Sequence, residues 1–90
     1  MKQFNINSTV KIRLTEHGKK LLERDWNDFW GSRGMLDKYP YEPLETDADG
    51  HTKFQLWSLM EKFGKYCGLG CELPFETVIL IDENELRDVE

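Results

Sequence analysis

Apolar residues take alternate positions from Phe4 to Leu14: Phe4, Ile6, Val10, Ile12 and Leu14 are hydrophobic, with Ser8 the exception, while Asn5, Asn7, Thr9, Lys11 and Arg13 are polar. A period of two puts successive side chains on opposite faces of a strand. The pattern therefore predicts a strand over 4–14, one face on a core and one in water, interrupted near Asn7-Ser8. The period then changes. Thr15 suits a helix N-cap with Glu16 in the first turn, and Leu21, Leu22, Trp26, Phe29 and Trp30 recur at helical spacing up to Gly31. This predicts a first helix over 15–31 whose Trp26 and Trp30 form an aromatic ridge in the core. Gly18 lies on the same side as Leu22, where a missing side chain allows close approach to the sheet, although glycine costs a helix interior about 1 kcal/mol relative to alanine.

Residues 31–51 show no sustained periodicity and include Gly31, Gly34, Gly50, Pro40 and Pro43. They read as an irregular loop, of a length that is uncommon unless functional or disordered. Tyr39, Tyr41 and Leu44 are expected to pack on the domain and to leave Thr46–Gly50 exposed and mobile. Thr52 offers a cap for a second helix over 52–66, in which Phe54, Leu56, Trp57, Leu59, Met60, Phe63 and Tyr66 cover more than one stripe. Such a helix is buried on two sides or buries one side in a partner. Gly64, Gly68 and Gly70 mark its end. A last strand over 76–82 contains Val78–Ile81, apolar on both faces, as in a strand covered on each side or lying at an oligomer contact. Asp82 and Glu85 are spaced to open one helical turn, with Leu86 and Val89 inward.

Together these elements predict a single α+β domain over residues 1–90, with two helices packed on a short antiparallel sheet formed by the N- and C-terminal strands and with Trp57, Phe63 and Ile79 in the core. So short a chain buries little more than the ~60% of unfolded surface typical of a 60-residue domain. Its three Trp, five Phe and three Tyr partly compensate, because each ring buries on the order of 150–250 Å². The thin core and the surplus apolar face of the second helix point to a homodimer, with that helix or the last strand at the contact.

Charge changes the picture more than composition does. The formal net charge is -5, yet residues 1–34 hold seven Lys/Arg against four Asp/Glu and residues 35–90 hold five against thirteen. An acidic surface repels phosphate backbones and attracts basic protein surfaces, so direct nucleic-acid binding is not expected. The longest apolar run, Val78–Ile81, is far below the ~20 residues of a membrane-spanning helix. No basic segment followed by an apolar one opens the chain. Location in the cytoplasm with reduced thiols is the expectation.

No catalytic chemistry is legible, and a non-enzyme without cofactor is expected. Cys67 and Cys71 are spaced C-x3-C rather than the C-x2-C common in zinc sites, and a tetrahedral site would also need His17 and His51. Two buried thiols flanking a glycine turn are the simpler reading. Glu42, Glu45, Asp47 and Asp49 lack the ligand order of a calcium loop, and no Ser or Cys stands in a recognisable nucleophile context for either histidine. The aromatic residues follow helical core spacing instead of interleaving with basic ones as in single-strand binders.

The segments STVKIRLTEHGKKLL and FQLWSLMEKFG followed by LPFETVILI resemble small proteins of unknown function encoded by bacteriophages and prophages. The resemblance covers about two thirds of the chain, skips the loop and carries no catalytic residue across. It implies a phage accessory protein of the bacterial cytoplasm that binds a host protein, in the manner of host-defence inhibitors such as anti-CRISPR proteins. A small metal-binding or nucleic-acid-associated phage protein is the alternative. The residues expected to meet a partner are Asp47, Asp49, Asp82, Glu83 and Glu85, as an acidic surface, with Tyr39 and Tyr41 as anchors.

Overall fold

In the computed structural model, which describes residues 1–89, the N-terminal segment contributes two strands, β1 (Lys2–Gln3), which precedes the alternating positions, and β2 (Thr9–Ile12), which is the central part of the strand expected over 4–14. They are parted by a turn in which the Ser8 amide donates to the Asn5 carbonyl at 2.9 Å and the Asn7 amide to the Asn5 side chain at 2.8 Å. An asparagine side chain that mimics a backbone turn accounts for the break in the pattern. Helix α1 (Glu16–Gly31) follows, capped by the Thr15 hydroxyl, which accepts from the Gly18 amide at 3.1 Å. After the loop come β3 (Thr52–Gln55), α2 (Leu56–Phe63), a 3-10 turn at Gly64–Tyr66, β4 (Leu80–Ile81), a second 3-10 turn at Glu83–Glu85, and β5 (Arg87–Asp88).

The sheet is antiparallel with order β3-β2-β4, and a separate two-stranded ribbon joins β1 to β5. The N- and C-terminal strands thus pair as expected, Val10 with Ile81 and Lys11 with Leu80, while Lys2 pairs with Asp88. The helix expected over 52–66 is corrected: its first four residues form β3, with Thr52 opposite Ile12 and Phe54 opposite Val10. Thr52 does not cap a helix; it is buried at 3% exposure in the sheet. Thr52 and Phe54 point inward, whereas Lys53 and Gln55 point outward. Those four residues alternate perfectly, and pairing along β2 outweighs the longer helical pattern into which Phe54 also fits.

Val10, Ile12, Leu21, Phe54, Leu59 and Phe63 are buried, with Phe4, Leu14, Leu22, Leu56, Tyr66 and Phe75 packed around them. Phe63 is the hub, its ring 6.2 Å from Phe54 and 6.0 Å from Phe75. Trp57 and Ile79, expected in the core, are instead 41% and 37% exposed. Starting the helix at Leu56 turns Leu59 and Phe63 toward the sheet and Trp57 and Met60 away from it. Ile79 is displaced by a change of register. Leu14 bridges Phe75 and the Glu76 amide donates to the Arg13 carbonyl, yet Lys11 pairs with Leu80. Two extra residues lie on the outer strand, so Thr77–Ile79 arches off β2 as a two-residue bulge. Val78 is 65% exposed as a result, and of the two readings of Val78–Ile81, cover on each side is not supplied by the described residues. The turn at Asp82 forms as expected, its carboxylate accepting from the Asn84 amide at 2.9 Å. Val89, expected inward, is exposed.

Gly18 makes its close approach to Pro74, where an added Cβ would lie 1.8 Å from the Pro74 carbonyl oxygen. Helix propensity alone favours Gly18→Ala by about 1 kcal/mol, whereas overpacking against fixed backbone costs ~1–3 kcal/mol or more. Gly18→Ala is therefore expected to lower the thermal midpoint by several degrees. A midpoint at or above that of the wild type would contradict the contact.

Candidate binding surface

The loop from 32 to 51 organises the surface beside α1. Met35 and Tyr39 fold back on the end of the helix, the Met35 amide reaching the Trp30 carbonyl at 2.9 Å and the Trp26 indole donating to the Tyr39 carbonyl at 2.8 Å. The Tyr39 ring lies 4.4 Å from Trp30, Tyr41 stands edge-on to Trp26 at 6.4 Å, and Phe29 meets Trp30 at 4.9 Å. The ridge expected in the core is thus a surface cluster, with Trp26 38% and Phe29 50% exposed. The sheet reaches only the first half of α1, where Gly18 and Leu21 are buried, so the aromatic residues of its second half are met by the loop instead. Tyr41 is half-buried as expected, and Leu44 is exposed. Burial, with Glu23 nearby as a smaller cause, holds the Tyr41 phenol above its ordinary pKa.

Between α1, α2 and this loop lies an open groove of ≈ 650 Å³ walled by Leu22, Trp26, Phe29, Trp30, Tyr41 and Leu44, with Asp25, Glu42, Glu61, Lys62 and Lys65 at its rim. Leu44 also borders a smaller hollow with Asp47, His51 and Lys53, and Lys53 borders a third with Lys11, Leu80, Asp82 and Glu85. These shared residues make one continuous surface that passes over the outward face of the sheet.

Of the seven residues assigned from sequence, Tyr41, Asp47, Asp82 and Glu85 line this surface. Tyr39 supports the groove from behind Trp30, Asp49 offers its carbonyl to Arg13 at 2.6 Å, and Glu83 stands exposed on its turn. Trp26, Trp30, Glu42 and Glu61 were not assigned. The signal for the first two is that α1 carries apolar residues for two more turns than a four-residue strand can cover.

The tip at Thr46–Gly50 is exposed apart from half-buried Gly50, but it is tied down rather than loose. The Asp47 carboxylate accepts from the amides of Asp49 and His51 at 3.0 and 2.9 Å and meets Lys11 at 3.3 Å. The His51 amide, opposed by partial desolvation and aided by Lys11 and the Asp49 amide, holds the Asp47 carboxyl below its ordinary pKa. Gly50 closes the turn at φ +86, a conformation that L side chains rarely adopt.

Cys67 and Cys71 are exposed, not buried, because the glycine-rich segment after the 3-10 turn runs outside the core; the Cys67 thiol donates to the Phe63 carbonyl at 3.3 Å. The histidines lie apart from one another's partners: His17 faces Glu72 at 3.4 Å and His51 faces Asp47 at 3.8 Å. Among the described residues Asp47, Asp49 and His51 bring one ligand atom each within 4.8 Å of the others, but the Asp47 carboxylate already serves Lys11 and two amides. Among the described residues no helix is long and apolar enough to cross a membrane.

A depressed carboxyl pKa stabilises the fold above the unfolded-state value, and the contribution is lost as pH falls through the lower native one. Asp47→Asn is thus expected to be less stable than the wild type at neutral pH, with the gap in thermal midpoint closing in acid below the ordinary carboxylate range. A gap that persists unchanged into strong acid would show that the charge on Asp47 is not what holds the tip.

No family model, curated protein or solved structure matches the chain.

Proposed function

We propose that this protein is a non-catalytic binding protein that modulates or inhibits a partner protein, in keeping with its resemblance to phage-encoded accessory proteins acting on the host in the bacterial cytoplasm. The observation that carries this reading is the continuous surface from the aromatic groove across the outer sheet face to Asp82 and Glu85. Monomeric proteins seldom expose large contiguous apolar patches rimmed by polar groups unless they mark an interaction site. Val78, Leu80 and Ile81 add 65%, 43% and 45% exposed aliphatic side chains beside the acidic turn. Apolar centres supply affinity while surrounding charges steer encounter and set salt dependence, and on this surface the acids outnumber the lysines. The acids of this region suit a basic partner and oppose nucleic acid.

Affinity capture from host lysate tests the reading when wild type is compared with the triple substitution Asp82→Lys, Glu83→Lys, Glu85→Lys. The wild type is expected to retain a specific protein at low salt and release it at high salt, and the variant to retain none. Identical retention by the two chains would remove the acidic surface from the reading.

A homodimer is supported by a separate patch, the outward side of α2, where Trp57 and Met60 are 41% and 50% exposed one helical turn apart. A two-fold contact buries the same patch on both subunits. Light scattering at tens of micromolar is expected to give twice the chain mass, falling to the monomer mass in Trp57→Glu. A monomer mass for the wild type would exclude the dimer.

A further inference from the structure

Cation–π contacts already decorate the aromatic cluster. The Arg33 guanidinium carbon lies 3.8 Å from the centroid of Phe29 and the Lys38 ammonium 5.5 Å from that of Tyr39. Among the described residues no such cation lies over Trp26, Trp30 or Tyr41, the rings that line the groove. Tryptophan gives the strongest cation–π attraction of the aromatic side chains, and two of the three in the chain are here. Their planes are inclined, Trp26 to Trp30 by 53° and Trp26 to Tyr41 by 66°. Inclined rings present faces and edges to one volume, unlike a flat stack.

The rim agrees in sign. Asp25, Glu42 and Glu61 contribute three carboxylates, and Glu23 lies close enough to Tyr41 to act on its phenol. Of the two rim lysines, Lys65 directs its ammonium over the Tyr66 ring at 5.1 Å, outside the groove lining. The Arg24 guanidinium meets Asp25 at 3.5 Å, which leaves Glu42 and Glu61 against Lys62. The Trp26 indole N–H is consumed by the Tyr39 carbonyl, so that indole has no donor left for an anionic or carbonyl ligand.

From this arrangement we infer that the groove is a cation-binding site that takes an arginine side chain from a basic segment of the partner, its guanidinium set against Trp26, Trp30 and Tyr41 and paired with Glu42 or Glu61. A planar, weakly hydrated guanidinium stacks on aromatic faces and forms bidentate pairs with carboxylates, which an ammonium does not. The inference rests on the binding-protein reading and names what that partner must bring to this end of the surface.

The test uses defined probes. N-acetyl-arginine amide and its uncharged isostere N-acetyl-citrulline amide are titrated at equal ionic strength into ¹⁵N-labelled protein, with the indole N–H signals of Trp26 and Trp30 followed and Trp57, outside the groove lining, as internal reference. Arginine is expected to give saturable shifts of the two groove indoles with millimolar affinity, and citrulline at least several-fold weaker ones. The exposed changes Glu42→Gln and Glu61→Gln, made together, are expected to weaken arginine several-fold without altering the fold. Equal shifts from both probes, equal shifts at Trp57, or no loss in the double variant would overturn the assignment. Failure here with salt-sensitive capture of a host protein intact would end this inference alone; loss of capture with arginine binding intact would end the broader reading.

Discussion

Two carbonyls on the segment before β4 are met by one residue at the start of α1. Thr15 donates its amide to Pro74 at 3.1 Å and its hydroxyl to Leu73 at 2.7 Å, while the same hydroxyl oxygen caps the helix through Gly18. Pro74 is fully buried against Gly18, where there is no room for a Cβ. This joint clamps the C-terminal third of the chain onto the end of β2 and sets the angle at which α1 leaves the sheet. Phe75 is placed beside Phe63 by the same clamp. Substituting an N-cap threonine typically costs ~1 kcal/mol; here the residue also holds two segments almost sixty positions apart.

What the joint holds is small. Beside Pro74, six hydrophobic side chains are buried among the described residues, and full burial of each of the six contributes ~1.5–3 kcal/mol. The radius of gyration is 15.2 Å, against roughly 12 Å for a compact domain of this length. The elongation and the exposed aromatic residues have one cause. A three-stranded sheet with strands of two to four residues covers only half of a sixteen-residue helix, so the remainder of α1 is dressed by the 32–51 loop. Stability and recognition therefore draw on different parts of α1, its first two turns and its last two.

The legible parts of the fold were those written as local patterns: the alternation leading into β2, the cap at Thr15, the glycine gap at Gly18 and the turn at Asp82. Each depends on residues within a few positions of one another. What escaped depends on distant partners. Thr52–Gln55 carries both a strand and a helix reading, and only β2 beside it decides between them. The bulge at Thr77–Ile79 arises from two registers set at opposite ends of β2, and an apolar run gives no hint that its middle will be lifted away. Trp26 and Trp30 were correctly joined as a ridge, but their spacing is silent on whether a sheet or a loop will meet them. For the binding surface, Tyr41 was legible as an anchored loop residue, whereas Asp47 was expected on a mobile tip and is held by Lys11 and the His51 amide, and Glu42 and Glu61 gain meaning only when α2 is brought alongside the loop.

The ribbon of β1 and β5 pairs residues 86 positions apart, Lys2 with Asp88. All four of its residues are exposed, and its ion pair between Lys2 and Asp88 is in open solvent. Closing so long a loop is entropically unfavourable, and two ladder positions with a surface ion pair return little against it. The ribbon is therefore the least protected unit of the domain, opening and closing many times for each global unfolding event. Opening it breaks none of the contacts around Phe63 and leaves the sheet intact. The chain thus behaves as a rigid centre with a latch joining its two ends, and amide hydrogens in the latch exchange with solvent long before those of β2.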